Sequence, residues 1–373
     1  MSIGISRRGL RRYGFACLAG LFLVSGAWAS GPGTLTILSS APDQVSGGDV
    51  KVAIDLPEGH LGSIILLNNE LVTSGLQRSG NRVEGMLDGL RVGVNPLRVW
   101  HFRFFDGRFF LESGGMADLV NHPITGPMFS GPQQQPFVCT VTSEFGIQPL
   151  VDRSSPPGFK VFDDDGNVVG YSTNCSIDTF VTYHYRTEGG AWADWPDDGS
   201  MPDDMATTVT IDGDEVDFVI RLERGTINRF IYSYAMLVDP ASIGVEGQNG
   251  WDLSRWNRRL LYYFQGGVGI GHTQGGWSSS RAMNADVLGL GHAIAYSTGT
   301  RTGEHYNLQV GGETALMTKE HFIKRYDNPI YTVGLGGSGG GIQQYVYGQN
   351  HPGLIDAAVP QRSYPDMVTQ TIH

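Results

Sequence analysis

Ile330-Tyr331-Thr332-Val333-Gly334-Leu335, then Gly336-Gly337-Ser338-Gly339-Gly340, then Gly341 to Asn350: an apolar strand, a glycine turn around one serine, and a helix. The turn fits G-x-S-x-G. A serine at the tip of a sharp strand-to-helix turn takes backbone angles that crowd its neighbours, so the flanking positions must be small. Such a turn lifts the serine oxygen above the sheet, and the following helix sets its N-terminal dipole beneath a developing negative charge. Ser338 is therefore the candidate nucleophile, and the Gly339 N–H one candidate oxyanion donor.

A second donor belongs in the loop after an earlier strand. Gly266-Gly267-Val268-Gly269 directly follows Leu261-Tyr262-Tyr263-Phe264-Gln265, and glycine lets a backbone N–H approach an anionic oxygen without a side chain between them. Gly266 and Gly267 are the candidates. Around them the sequence alternates strand and helix, the mark of a mostly parallel sheet. Strands are predicted over Arg259–Phe264, His292–Ser297, Ile330–Leu335 and Ile355–Val359. Helices are predicted over Ser279–Leu290, Glu313–Tyr326 and Gly341–Asn350. Two strand–helix steps separate the glycine loop from the serine turn, which is the order of an α/β-hydrolase fold. A rival is that Gly334, Gly336 and Gly339 also satisfy G-x-G-x-x-G, a dinucleotide fingerprint. Its acidic partner should end the next strand, whereas Asp356 stands near the start of one. Fewer than about 40 residues follow, too few for two βαβ halves.

Upstream, Arg7, Arg8, Arg11 and Arg12 precede the short apolar run Phe15 to Val24 and the small–x–small site Ala27-Trp28-Ala29. This reads as a cleaved export signal over 1–29, the run being shorter than the roughly 18 residues of a spanning segment. Removing its four arginines takes the formal charge from −11 to −15, which argues against nucleic-acid partners. Two cysteines remain, Cys139 and Cys175. In an exported chain a disulfide is the natural reading. Residues 30–120 alternate apolar and polar positions, with strands predicted at Thr34–Leu38, Val50–Ile54, Ser63–Leu67 and Asn95–Trp100. Such spacing suggests an all-β immunoglobulin-like sandwich. Residues 121–136, rich in Pro, Gly and Gln, read as a linker or extended crossing. Residues 137–373 then form the N-terminal part of an α/β-hydrolase domain. Asp163–Asn167 and Asp212-Gly213 read as hairpin turns; neither has the spacing of a calcium loop. No metal or organic cofactor is expected.

The stretches Asn121–Pro127, Arg224–Arg229, Glu313–Met317 to Tyr326, Gly337–Gly340 and Pro360–Asp366 also resemble a family of exported bacterial α/β-hydrolases. That family is largely catalogued as a domain of unknown function and is similar in layout to tannase and feruloyl esterases. The resemblance covers most of the mature chain. It implies a periplasmic or secreted serine esterase working through an acyl-enzyme, with a small-molecule or polymeric ester as partner. Members continue further past the serine turn, so the resemblance also implies that the catalytic acid and histidine belong to a C-terminal segment lost by truncation. In this chain only His351, His373, Asp356 and Asp366 follow Ser338; Asp366 is the conceivable acid. Upstream, His272, His292 and His305 read more naturally as surface or packing residues than as bases. The alternative reading is a non-catalytic exported binding protein with a hydrolase-like remnant.

Overall fold

The computed structural model describes residues 35–141, 147–156, 158–245, 250–276 and 279–364. The predicted signal over 1–29, Asp366 and His373 lie outside the described residues.

The alternating stretch folds into nine strands: β1 (Leu35–Ile37), β2 (Val45–Ser46), β3 (Asp49–Asp55), β4 (Gly62–Leu67), β5 (Glu70–Leu71), β6 (Leu76–Ser79), β7 (Arg82–Asp88), β8 (Gly93–Phe105) and β9 (Arg108–His122). They make two sheets, ordered β1-β3-β7-β6 and β2-β9-β8-β4-β5. Inward-facing residues of both sheets, among them Val50, Val52, Ile54, Leu87, Leu97, Val99 and Leu119, share one core. Burying each such side chain is worth about 1.5–3 kcal/mol, so the sheets hold together face to face.

β10 (Phe159–Phe162) and β11 (Val168–Ser172) form a hairpin across the acidic turn. The Asp163 carboxylate accepts from the Asp165 and Asn167 backbone N–H groups and the Asn167 amide; it closes its own turn. β12 (Phe180–Arg186) and β13 (Trp192–Asp194) come next, followed by the small β14 (Thr207–Val209) and β15 (Glu215–Asp217) pair. The long strands β16 (Val219–Ile227) and β17 (Phe230–Leu237) complete this β-rich stretch. From Arg259 the predicted alternation follows: β18 (Arg259–Gln265), two one-turn helices α1 (Ser279–Ala282) and α2 (Ala285–Leu288), β19 (Ala293–Arg301), α3 (Leu308–Arg325), β20 (Tyr331–Gly337), α4 (Gly339–Asn350) and β21 (Ala357–Gln361). The protein is mostly β-sheet with few helices.

Eight of these strands form one sheet, ordered β13-β12-β16-β17-β19-β18-β20-β21. Strands β13 to β19 pair antiparallel, and β19-β18-β20-β21 pair parallel. β17 is buried on both faces. Its Tyr232, Tyr234 and Met236 pack with Phe322 of α3 on one side, and Ala235 and Leu237 pack with Ala282 and Leu288 of α1 and α2 on the other.

Two helices depart from the sequence expectation. α3 begins at Leu308 rather than Glu313, because the Asn307 carboxamide caps it by accepting from Gln309 N and Val310 N. Gly311 and Gly312 lie inside it. A Cβ at Gly311 would sit 2.2 Å from the Tyr347 hydroxyl, and one at Gly312 2.4 Å from His351 Nε2, so the two glycines let α4 pack close. The helix predicted over Ser279–Leu290 is split at Asn284, which caps α2.

α3 is covered on both sides, since the N-terminal sheets dock on the face turned away from the large sheet. Ser46 donates from N and Oγ to the Glu320 carboxylate, Lys324 donates to Ser46 O and Asp49, and Lys51 meets Asp327. Burial pushes Glu320 up to about 7, against the pull of Lys324 and Ser46. A carboxyl raised in the folded state contributes stability that is present below its ordinary 4.5 and lost as pH rises through 7. The loss amounts to at most about 3 kcal/mol. Glu320→Gln is expected to flatten this part of the profile: between pH 5 and 8 its melting temperature falls less than that of the wild type. Parallel melting curves would count against this docking.

Candidate active site

β18 and β20 are neighbours, yet the chain leaves β18 toward β19 and leaves β20 toward β21, on opposite sides. The crevice beyond the carboxyl ends of two such strands is where open α/β sheets bind ligands. Gly266 follows β18 there, and Ser338 follows β20. Their register, Tyr263 opposite Leu335, carries forward to set Gly266 opposite Ser338.

Ser338 has φ 56° and ψ −122°. Non-glycine residues reach that region at a cost of about 1–3 kcal/mol, and only where the surroundings enforce it. Here the surroundings are backbone. Ser338 N donates to Gln361 O of β21 at 3.0 Å, and its own carbonyl accepts from Gly341 N and Ile342 N. A Cβ at Gly336 or at Gly340 would sit 2.1 Å from Phe264 O, and one at Gly339 would sit 2.1 Å from Thr302 Oγ1. Glycine is the only residue that fits these positions.

Serine commonly caps a helix by accepting from an N–H of the first turn. Ser338 stands at the N-cap of α4 and makes no such bond. The residue is exposed, so its hydroxyl is left facing the crevice. The Gly266 backbone lies against it: a Cβ there would be 3.1 Å from Ser338 Cβ and 3.2 Å from Gly339 N. Gly267 has φ +115°, and a Cβ on it would meet Gly303 Cα at 2.7 Å.

Several supporting residues carry no motif and were missed in the sequence. Thr302 Oγ1 donates to Gly267 O at 2.6 Å and fixes the glycine loop. Gln344 donates to Gly336 O and Gly340 O and accepts from Val359 N, tying the turn to β21. Gln343 donates to Thr300 O and accepts from Tyr347. Tyr306 and Tyr364, from the segments after β19 and β21, face each other with hydroxyls 3.4 Å apart. Burial, the Tyr364 hydrogen bond and its charge push Tyr306 up to about 12.

The profile of the tannase-like family of unknown function (DUF6351) matches residues 35–373. The chain belongs to that family. Among solved structures this tannase-like chain is similar to tannin acyl hydrolase from Aspergillus niger, at 14% identity and TM-score 0.27 over 48% of this chain. It is also similar to oligopeptidase B from Trypanosoma brucei with covalently bound antipain, at 14% identity and TM-score 0.23 over 88% of this chain. The chain spans 31% of the first protein and 42% of the second. No curated protein matches it.

In this family member the described histidines have other surroundings than the serine hydroxyl. His351 ends α4, roughly 18 Å along a 12-residue helix from Ser338; its ring packs on Phe129 and Tyr347, and burial lowers its pKa. His292 precedes β19, at the opposite end of the strands, and bonds Asn257. His272 accepts from the Gln134 amide. His305 is buried against Phe230. Asp356 accepts from Thr332 N, six residues up β20 from Ser338, a span of roughly 20 Å. Among the described residues no histidine makes a hydrogen bond to the Ser338 hydroxyl, and no group of three or more His, Cys, Asp or Glu gathers to hold a metal.

Cys139 and Cys175 are bonded to each other, 36 residues apart. Gln274 links this clamp to the glycine loop: its amide donates to Cys175 O and accepts from Thr140 N. Val138 N bonds His272 O beside it. Among the described residues no helix is long and apolar enough to cross a membrane.

Proposed function

We propose that this tannase-like protein is an exported serine hydrolase of α/β-hydrolase type, acting on esters. Residues 137–373 carry the site, and 30–120 form an immunoglobulin-like sandwich before it. The observation that carries this reading is Ser338 itself: a strained, exposed serine at a helix N-cap whose hydroxyl does not cap. Strain of this kind persists where a function needs the geometry. A cleavable leader over 1–29 and the Cys139–Cys175 bond support export.

In this reading the Ser338 oxygen attacks the ester carbonyl carbon as its proton passes to a general base. The N–H groups of Gly339 and of Gly266 or Gly267 hold the oxyanion. The alcohol leaves with a proton, and water then cleaves the acyl-enzyme to release the acid. The described residues offer no base in hydrogen-bond reach of Ser338; Asp366 and His373 lie outside them.

The lack of a base within reach of Ser338 among the described residues favours a second reading, a non-catalytic exported binding protein on a hydrolase-like scaffold. A fluorophosphonate probe separates the two. The esterase reading expects covalent labelling of the full chain, mapped to Ser338 by peptide mass and absent in Ser338→Ala. An unlabelled wild type, or equal labelling of the variant, selects the binding protein.

A further inference from the structure

Beside the segment that follows the glycine loop lies a partly enclosed recess of about 60 Å³. Gly271 and Thr273 contribute to its wall, together with Phe137, Arg229, Phe230 and His305 among others. Arg229 is 5% exposed and His305 7%. The Arg229 guanidinium carbon lies over the Phe137 ring, 4.0 Å from its centre, and one N–H is given to Gln134 O at 3.2 Å, while Nε has no partner. Both His305 ring nitrogens are also without a partner. The Gly299 and Asn307 carbonyls lean toward the ring without closing a hydrogen bond of normal geometry.

A buried guanidinium normally has a carboxylate beside it, because an isolated charge away from water is costly. Among the described residues none lies within ion-pair reach of Arg229. Two carboxylates bonded to residues that line the recess are engaged elsewhere. Glu313 accepts from Phe129 N, Ser130 and Asn228, and Glu304 accepts from Thr273 and Arg301. Burial lowers Arg229 only to about 10, so it stays cationic at neutral pH. His305, lowered to about 4 by burial, is then neutral and keeps one ring N–H to donate. A third favourable element is α3, an 18-residue helix whose cap Asn307 and first-turn Val310 line the same recess. The Asn307 side chain already takes the Gln309 and Val310 N–H groups, so what α3 adds is its dipole.

We propose that this recess is an anion site, built to hold one carboxylate group between the Arg229 guanidinium and the His305 ring. The volume suits a group of formate or acetate size. Tyr306 N donates to Gly269 O, so the residue beside His305 also holds the glycine loop, and an occupied site stiffens that loop. This does not depend on the role of Ser338.

The test is calorimetric titration of the full chain with sodium acetate at constant ionic strength, with acetamide as the neutral isostere. Saturable acetate binding is expected in the wild type and in Ser338→Ala, with none for acetamide. Arg229→Gln should weaken acetate at least tenfold. His305→Phe, which preserves the packing on Phe230, should weaken it several-fold and carries the test if Arg229→Gln fails to fold. Benzoate distinguishes the source of the carboxylate. Binding as tight as acetate marks the end group of a larger molecule, and exclusion marks a free small anion. Absence of saturable acetate binding in the wild type, or affinity unchanged in the folded variants, overturns the site.

Discussion

Gly340→Ala is expected to cost about 3–5 kcal/mol and to lower the melting temperature by roughly 5–15 °C. The reason is local and steric. The added methyl would stand 2.1 Å from Phe264 O and 2.8 Å from Phe264 C, both main-chain atoms of the adjacent central strand. A flexible side chain would rotate away; β18 cannot move without breaking its ladders to β19 and β20. α4 would have to back off, taking the Ser338 turn with it. Gly348→Ala, further along the same helix, is the control. Its methyl would meet only Ile355 Cδ1 at 3.8 Å, and alanine is favoured over glycine in a helix by about 1 kcal/mol. Thermal melts of the two variants should therefore shift in opposite directions. A melt of Gly340→Ala within a degree of wild type would refute the tight packing of the turn.

The second large effect is expected at Glu223, fully buried in β16. Its carboxylate accepts from the Tyr232 and Tyr326 hydroxyls and from Arg325, with His321 3.7 Å away. Burial alone would raise this carboxyl; the neighbouring His321 and the Arg325 charge outweigh it and hold it at about 2. Glu223→Gln keeps the shape and strands Arg325, which should cost about 3–5 kcal/mol. The pH dependence has the opposite sign to that of Glu320. A depressed carboxyl contributes stability present above its ordinary 4.5 and lost as pH falls toward 2, about 3 kcal/mol in all. Denaturant unfolding at pH 7 and pH 3 should show the wild type losing about 2 kcal/mol of that increment and the variant losing less. Equal losses would mean that Glu223 does not hold α3 to the sheet through its charge.

These two positions show what the sequence makes legible. The turn around Ser338 could be read because its constraints are local: glycines cluster where neighbouring backbone leaves no room, and the strand before and helix after carry their own periodicity. The glycine loop after β18 was readable for the same reason, and so was the alternation from Arg259 onward. Glu223 was not. Its partners stand 9 to 103 residues away, and only the register of β16 with β17 and the docking of α3 bring them together. Thr302 and Gln344 were hidden likewise, since a hydroxyl or an amide reveals its role only when the carbonyl it serves is known. Arg229 sat within a quoted stretch, Arg224–Arg229, yet nothing in the order of residues marks it as a buried cation lacking a counter-charge.

The contacts of Ser46, Asp49 and Lys51 with α3 and Asp327 span 274 to 276 residues of chain. The two small sheets close largely through neighbouring hairpins, with β8 and β9 joined by a two-residue turn, so they can form early during synthesis. Their docking surface must then wait until residue 327 has been made, roughly 10–40 s after His122 at ordinary elongation rates. For that interval Ser46 and Lys51 face water, and the N-terminal portion exists as a separate body on the nascent chain. Attachment to α3 is therefore a late event in the life of each molecule, and a chain halted before Asp327 would carry folded small sheets with nothing to close against.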